Sequence, residues 1–406
     1  MTPDRLDRRR LLLGIGATMI AGRADAQADP LRTALDDAVR LPPREALARL
    51  AAFDPAALAP AQRLDLVTAR AGLAIDARLA GLPATRGRQG GYRPLPEARR
   101  IAPDHYALLL ARPLGPVSPA AAQARLTREL AALHARAAPL FARIGLATGS
   151  IGARYTALWQ DERYLYPDAA AAVADMAAML AAARRRVAAT IGPVPAWCTD
   201  VTVRSLSPEE IAAGRNGYRI VPTPSRQGGY IVDLRDVRRR PAWSLPSVVA
   251  HELLPGHMIQ LGLEGVTPPH PLRIDYAASF VEGWGIHAET LAADDGVFAD
   301  PRAMLGHLHW LIFRVARALV DLGIHRDGWS RDAARARLVD WQGEPAYFAP
   351  FDTELARIAQ EPAARVAEAM AWLAIADAAR GRRRREAHHR LLAHGRMRSD
   401  AISNIS

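Results

Sequence analysis

The chain of 406 residues contains one cysteine, Cys198, and no lysine. A single thiol excludes an intrachain disulfide and any metal centre built from several cysteines. Without lysine, the net charge of +11 rests wholly on arginine in an alanine-rich chain, which reads as codon bias. The surplus also gathers at the ends: residues 380–398 hold eight arginines against Glu386 alone, and the N-terminal segment adds more. Little excess is left for the body between them, so no nucleic-acid partner is expected. Long apolar runs are missing too. No stretch after Gly22 approaches the ~20 residues that a membrane helix needs, so no stable membrane span is expected.

The N-terminus has its own pattern. Arg8, Arg9 and Arg10 precede the short apolar run LLLGIGATMIAG, and small-residue sites follow at ADA and AQA. Residues 1–28 are thus expected to be a signal peptide, with the paired arginines fitting the twin-arginine type. A periplasmic or secreted protein would follow from that. The remainder divides into a body of residues 29–380 and a basic tail, 381–406, with a short helix near residues 388–394.

Apolar residues recur every three or four positions through residues 31–82, 118–146 and 168–191, with Asp, Ser and Pro at the starts, which predicts helices. Residues 85–103 are rich in Gly, Pro and Arg and suit a loop or lid. Three short alternating segments, 197–203, 217–221 and 228–234, predict a small antiparallel sheet. Helices are then expected at residues 272–293, 301–325, 331–341, 345–360 and 361–380. The fold class expected is mainly α: one large helical domain around a metal cleft, with a small antiparallel β insertion.

Directly after the sheet lies His251-Glu252-Leu253-Leu254-Pro255-Gly256-His257. Helical metallohydrolases place two His four residues apart on one helix face. Six residues of straight helix would leave these rings about 120° apart. Pro255 removes a donor and Gly256 permits unusual backbone angles, so a bend or bulge should bring His257 back to His251. A catalytic zinc needs a third protein ligand, and FVEGWGIHAE offers Glu282 and Glu289. These share a helix face but lie about 10 Å apart along it. One is expected to bind the ion, the other to orient a ligand His. Gly283 and Gly285 would allow another element to approach closely. Glu252, beside His251, is placed to act as general base on a metal-bound water.

A further row, Arg314, Arg317, Asp321 and His325, has helical spacing and apolar neighbours. Arg317 and Asp321 are expected to pair and position His325, which would contact substrate or an oxyanion.

In chain order, HELLPGH, FVEGWGIHAE and RALVDLGIH resemble the signatures of a bacterial family catalogued as domain of unknown function 885. That family is predicted to hold gluzincin-type zinc metallopeptidases of largely helical fold. The resemblance extends to the tail, where HRLLAHG also fits, and is strongest over residues 250–325. It implies His251, His257 and Glu282 as metal ligands and Glu252 as the catalytic carboxylate. Glu289, Arg317, Asp321 and His325 fall on recurring positions. The chain departs from the pattern in two places. Met258 stands where the family commonly has another His, and residues 361–368 lack the Tyr expected there, an oxyanion donor worth ~3 kcal/mol.

The function expected is an exported hydrolase using one Zn2+ per chain to cleave amide bonds in peptides. The alternatives are a catalytically impaired, metal-containing peptide-binding protein and a non-proteolytic metalloenzyme. Nothing in the sequence fixes the oligomeric state.

Overall fold

The computed structural model describes residues 29–82, 101–344, 351–381 and 384–402. The signal-peptide segment, and the loop of residues 85–103 up to residue 100, lie outside them. Three helices, α1 (Pro30–Ala38), α2 (Pro43–Leu50) and α3 (Pro60–Ala80), each start on proline. Its fixed φ and missing N–H suit a first helical turn. Then come α4 (Pro103–Leu114), α5 (Pro119–Arg143), α6 (Ile151–Trp159) and α7 (Ala169–Ile191). The Ser118, Ser150 and Asp168 side chains accept backbone N–H groups at the starts of α5, α6 and α7, as good N-caps do.

The sheet holds β1 (Val201–Ser205), β2 (Tyr218–Ile220) and β3 (Gly228–Val232), with α8 (Pro208–Ala212) between the first two. Its order is β1-β3-β2, and it corrects the expected antiparallel arrangement. β2 and β3 are antiparallel, but β1 runs parallel to β3, with Val203 opposite Tyr230. The long connection through α8 and β2 makes this possible, since parallel strands need a crossover. β3 is buried at every residue, which suits its central place and its unbroken apolar sequence.

The C-terminal half is helical: α9 (Leu245–Glu252), α10 (His257–Val266), α11 (Pro271–Tyr276), α12 (Ser279–Asp294) and α13 (Pro301–His325). After these come α14 (Arg331–Gln342), α15 (Phe351–Gln360), α16 (Ala364–Ala378), α17 (Arg384–His394) and α18 (Ser399–Ile402). The class is mainly α with one small mixed sheet.

Every residue of α13 from Leu305 to His325 is buried, so this helix is the axis of the core. α5, α12, α14 and α16 pack around it or around its neighbours. The helix expected over residues 272–293 divides at Ala277. Tyr276 is held there by the N-terminal layer: its ring lies against Gly72, its hydroxyl donates to Asp76 at 2.8 Å, and the Arg112 guanidinium covers its face at 4.4 Å. The segment set apart as a tail belongs to the core, where Leu391, Leu392, Met397 and Ile402 are buried. No described helix is long and apolar enough to cross a membrane.

Candidate metal centre

The Pro-Gly pair interrupts the helix instead of bending it. α9 ends at Glu252, a turn containing a cis Leu254–Pro255 bond follows, and α10 starts at His257. Gly256 is required by contact: a Cβ there would lie 1.9 Å from the His251 carbonyl oxygen and 2.4 Å from that of Ala250. From α12, the Trp284 Nε1–H donates to the Pro255 carbonyl at 3.2 Å and ties the turn down. His251 thus leaves the last turn of one helix and His257 the first residue of the next. Their rings meet edge to face, with centroids 4.6 Å apart.

The two Nε2 atoms face each other at 3.1 Å. Glu282, in the first turn of α12, puts Oε2 at 3.5 Å from His251 Nε2 and Oε1 at 3.6 Å from His257 Nε2. Ligand atoms from these three residues lie within 4.8 Å of one another. Two nitrogens bound tetrahedrally to one zinc at 2.0–2.1 Å would be separated by about 3.4 Å. The donor set and its spacing therefore fit a zinc ion. Both imidazoles are buried, while the Glu282 side chain keeps 30% of its surface exposed. The centre opens on that side.

Behind the ligands, Glu289 accepts from His251 Nδ1 at 2.8 Å and is itself fully buried. Its other oxygen lies 4.0 Å from His307 Nδ1, which in turn faces Ser247 Oγ at 3.4 Å. Gly285 makes room for the His251 ring, since a Cβ would stand 2.6 Å from its Cε1. Gly283 does the same for the α16 backbone at Trp372, 2.8 Å from its would-be Cβ. Both glycines serve the close approach that their spacing suggested.

The electrostatics divide the two imidazoles. Burial pulls His251 down, but hydrogen bonds to Glu282 and Glu289 outweigh it and raise it to about 9. Burial, together with the Arg219 and His251 charges, pushes His257 down to about 3. Burial also works to neutralise Glu282. The His251 hydrogen bond and the Arg314 charge prevail and hold it well below the usual carboxylate range.

Glu252 sits beside the cluster, nearly buried, with Arg219 Nε donating to its Oε2 at 2.5 Å. Burial favours its neutral form, but Arg219 and the two imidazoles keep the carboxyl below its ordinary value. Arg219 lies on the edge strand β2, directly across from Tyr230 on β3. Sequence reasoning missed it. Its only signal was a charged residue inside an apolar strand close to the motif.

The row on α13 comes apart. Arg314 reaches the centre, with Nη1 at 3.3 Å from Glu282 Oε2 and Nη2 at 3.5 Å from His251 Nε2. Arg317 and Asp321 do not take each other as partners. Arg317 binds Glu354 at 2.9 Å and Glu368 at 3.3 Å. Asp321 accepts the Ala363 and Arg365 N–H groups at 2.9 and 3.2 Å and the Tyr106 hydroxyl at 2.9 Å. It thereby closes the start of α16, where Ala363 has a positive φ of 67°. His325 is buried, and its Nε2 faces the Ile358 carbonyl at 2.9 Å. Eleven residues beyond Arg314, it stands about 16 Å farther along the helix. The expected substrate or oxyanion contact from His325, with Arg317 and Asp321 positioning it, is not what the geometry presents. These three residues join α13 to α15 and α16. Met258 is buried in the core.

Two solved structures resemble this fold. One is a "putative lipoprotein" from Colwellia psychrerythraea, 24% identical with a TM-score of 0.60; the match covers 75% of this chain but only 54% of that one. The other is a "putative lipoprotein of unknown function" from Shewanella oneidensis, 15% identical with a TM-score of 0.63, matched over 93% of this chain and 73% of the other. This chain therefore spans about half the length of the first. No curated protein gives a significant match. Residues 18–400 match the family described as "Bacterial protein of unknown function (DUF885)", and the chain belongs to that family.

Proposed function

We propose that the protein is an exported, zinc-dependent hydrolase of peptide amide bonds, in which His251, His257 and Glu282 hold one zinc. The observation that carries this reading is the convergence of three ligand side chains from α9, α10 and α12 at zinc spacing. A zinc ion in that nest acidifies water and polarises a carbonyl. Glu252 is the chain's own base: ionised and adjacent to His251, it takes a proton from water and returns it to the leaving amine. Glu289 keeps the Nδ1 proton on His251, so that Nε2 presents its lone pair. The edge strand β2 beside Glu252 offers backbone groups to an extended peptide. Export is supported by the twin-arginine-like pattern around Arg8 and Arg9, and by the description of both similar structures as lipoproteins.

A second reading has its own support. Arg219 pairs so closely with Glu252 that the carboxylate is engaged before any substrate arrives, which favours a metal-holding peptide binder without turnover. Elemental analysis of the purified chain, followed by incubation of the zinc-loaded protein with a peptide library, separates these possibilities. One zinc per chain is expected, lost in His251→Ala and His257→Ala; a wild-type protein with none sinks the metal reading. Cleavage products absent from Glu252→Gln, with zinc retained, identify the hydrolase. Zinc without products removes the peptidase and leaves the binder or a metalloenzyme acting on other substrates.

A further inference from the structure

Arg314 occupies an unusual place for a cation. It projects from the buried axis of the fold, is 8% exposed, and its Nε has no partner. Among the described residues, its terminal nitrogens meet Glu282 Oε2 and His251 Nε2. Those are two of the atoms assigned above to zinc, and this inference rests on that assignment. An ion held by His251, His257 and Glu282 puts a second cation beside the guanidinium and competes with it for the Glu282 carboxylate, so Arg314 is left with spare donors next to the centre. The other carboxylates of the centre are engaged, Glu252 by Arg219 and Glu289 by His251. Counting a dication, Arg219 and Arg314 against Glu252, Glu282 and Glu289 leaves one positive charge over. A buried guanidinium with spare donors and a surplus charge calls for an anionic acceptor.

We propose that Arg314 binds a carboxylate of the substrate. The planar fork of arginine matches a carboxylate in a way that a point charge does not. Because the guanidinium lies within 3.5 Å of a ligand nitrogen, a carboxylate paired with it sits close to the reacting carbonyl, and a spacing of one residue, ~3.5 Å, suits that closeness. A free C-terminal carboxylate next to the scissile amide meets that condition. The substrate class is then peptides or N-acyl amino acids cut at the C-terminal residue, and the activity is that of a carboxypeptidase.

The test uses zinc-loaded full-length protein and a non-cleavable probe, an N-acetylated ketomethylene dipeptide isostere, as free acid and as C-terminal amide. Calorimetry should show the acid binding wild type at least thirtyfold more tightly than the amide. Arg314→Gln should shrink that gap to less than threefold while keeping one zinc, and Arg314→Lys should fall between. Removing the competing cation should also tighten zinc binding in Arg314→Gln by at least tenfold. Equal affinity for acid and amide in zinc-loaded wild type overturns this inference alone, as does an undiminished gap in Arg314→Gln. Unchanged or weaker zinc binding in that variant overturns the competition between Arg314 and the ion. A wild-type protein that takes up no zinc overturns the metal reading and this inference together.

Discussion

Glu289 accepts a hydrogen bond from Nδ1 of His251 at 2.8 Å, from the same helix that presents Glu282 to Nε2 of the same ring. One helix thus supplies both the candidate third ligand and the group that sets the proton on the first. Partners of this kind typically change metal affinity 10–100-fold. Glu289→Gln should therefore weaken zinc binding by about that factor, because the carboxamide no longer draws the Nδ1 proton as a carboxylate does. Competition against a zinc-sensitive dye checks it, and unchanged affinity would leave Glu289 as packing only.

Gly256 and Gly265 form a matched pair for testing the turn. A Cβ at Gly256 collides with two carbonyl oxygens of α9, whereas one at Gly265 meets nothing within 4 Å. Gly256→Ala should cost about 3 kcal/mol, the upper range for forced overpacking, and lower zinc uptake with it. Gly265→Ala, inside α10, should be neutral or stabilising by about 0.5–1 kcal/mol. Urea titration of both variants gives the comparison. Equal effects would mean that the close approach at Gly256 is not what holds the turn.

The legible part of this protein was the part governed by local pattern. α13 begins at Pro301 and ends at His325 as its apolar spacing required. The chemistry of HELLPGH and Glu282 pairs them in the sequence, and His251, His257 and Glu282 converge in the structure. What escaped depended on partners distant in sequence. Arg219 means little until β2 is laid beside α9. The Arg314 to His325 row read as one functional face because spacing reports direction around a helix, not what packs against each turn. Arg314 meets α9 and α12, while Asp321 and His325 meet α15 and α16. The parallel pairing of β1 was hidden for a similar reason, since strand pattern carries no record of chain direction.

Asp321 and His325 accordingly make a prediction opposite to a catalytic one. Asp321→Ala strips acceptors from two backbone N–H groups and the Tyr106 hydroxyl, all within a buried junction. Unsatisfied buried donors cost ~1–3 kcal/mol each, so a loss of about 3 kcal/mol or more in stability is expected. The zinc affinity of the folded fraction should stay within about twofold of wild type, since Asp321 lies about two turns, ~10 Å, beyond Arg314. Thermal melts and zinc titration on the same samples decide it. Lost zinc affinity at full stability would restore these residues to the site.

Acid should loosen the C-terminal segment through a second histidine pair. His287 on α12 and His388 on α17 approach through their Nε2 atoms at 3.0 Å, both buried. Burial lowers His287 to about 3 and His388 to about 4, with neighbouring cations adding to it. In the unfolded chain both would titrate near the ordinary ~6.5. The unfolded state thus binds more protons over that interval. The stability the pair contributes is complete above pH ~6.5 and is lost as pH falls toward 4, by up to ~1.4 kcal/mol per pH unit for each group. Asp321 acts with the opposite sign: burial raises it to about 6, so its contribution is present at low pH and lost as pH rises from about 4 through 6. The net wild-type slope also carries His257, His307 and His309, which burial lowers to about 3, 3 and 4, so wild type loses stability toward acid on balance. A His287→Gln, His388→Gln double variant isolates the histidine part and should flatten the decline in urea midpoint between pH 7 and 5. A decline as steep as wild type would assign acid sensitivity to other groups.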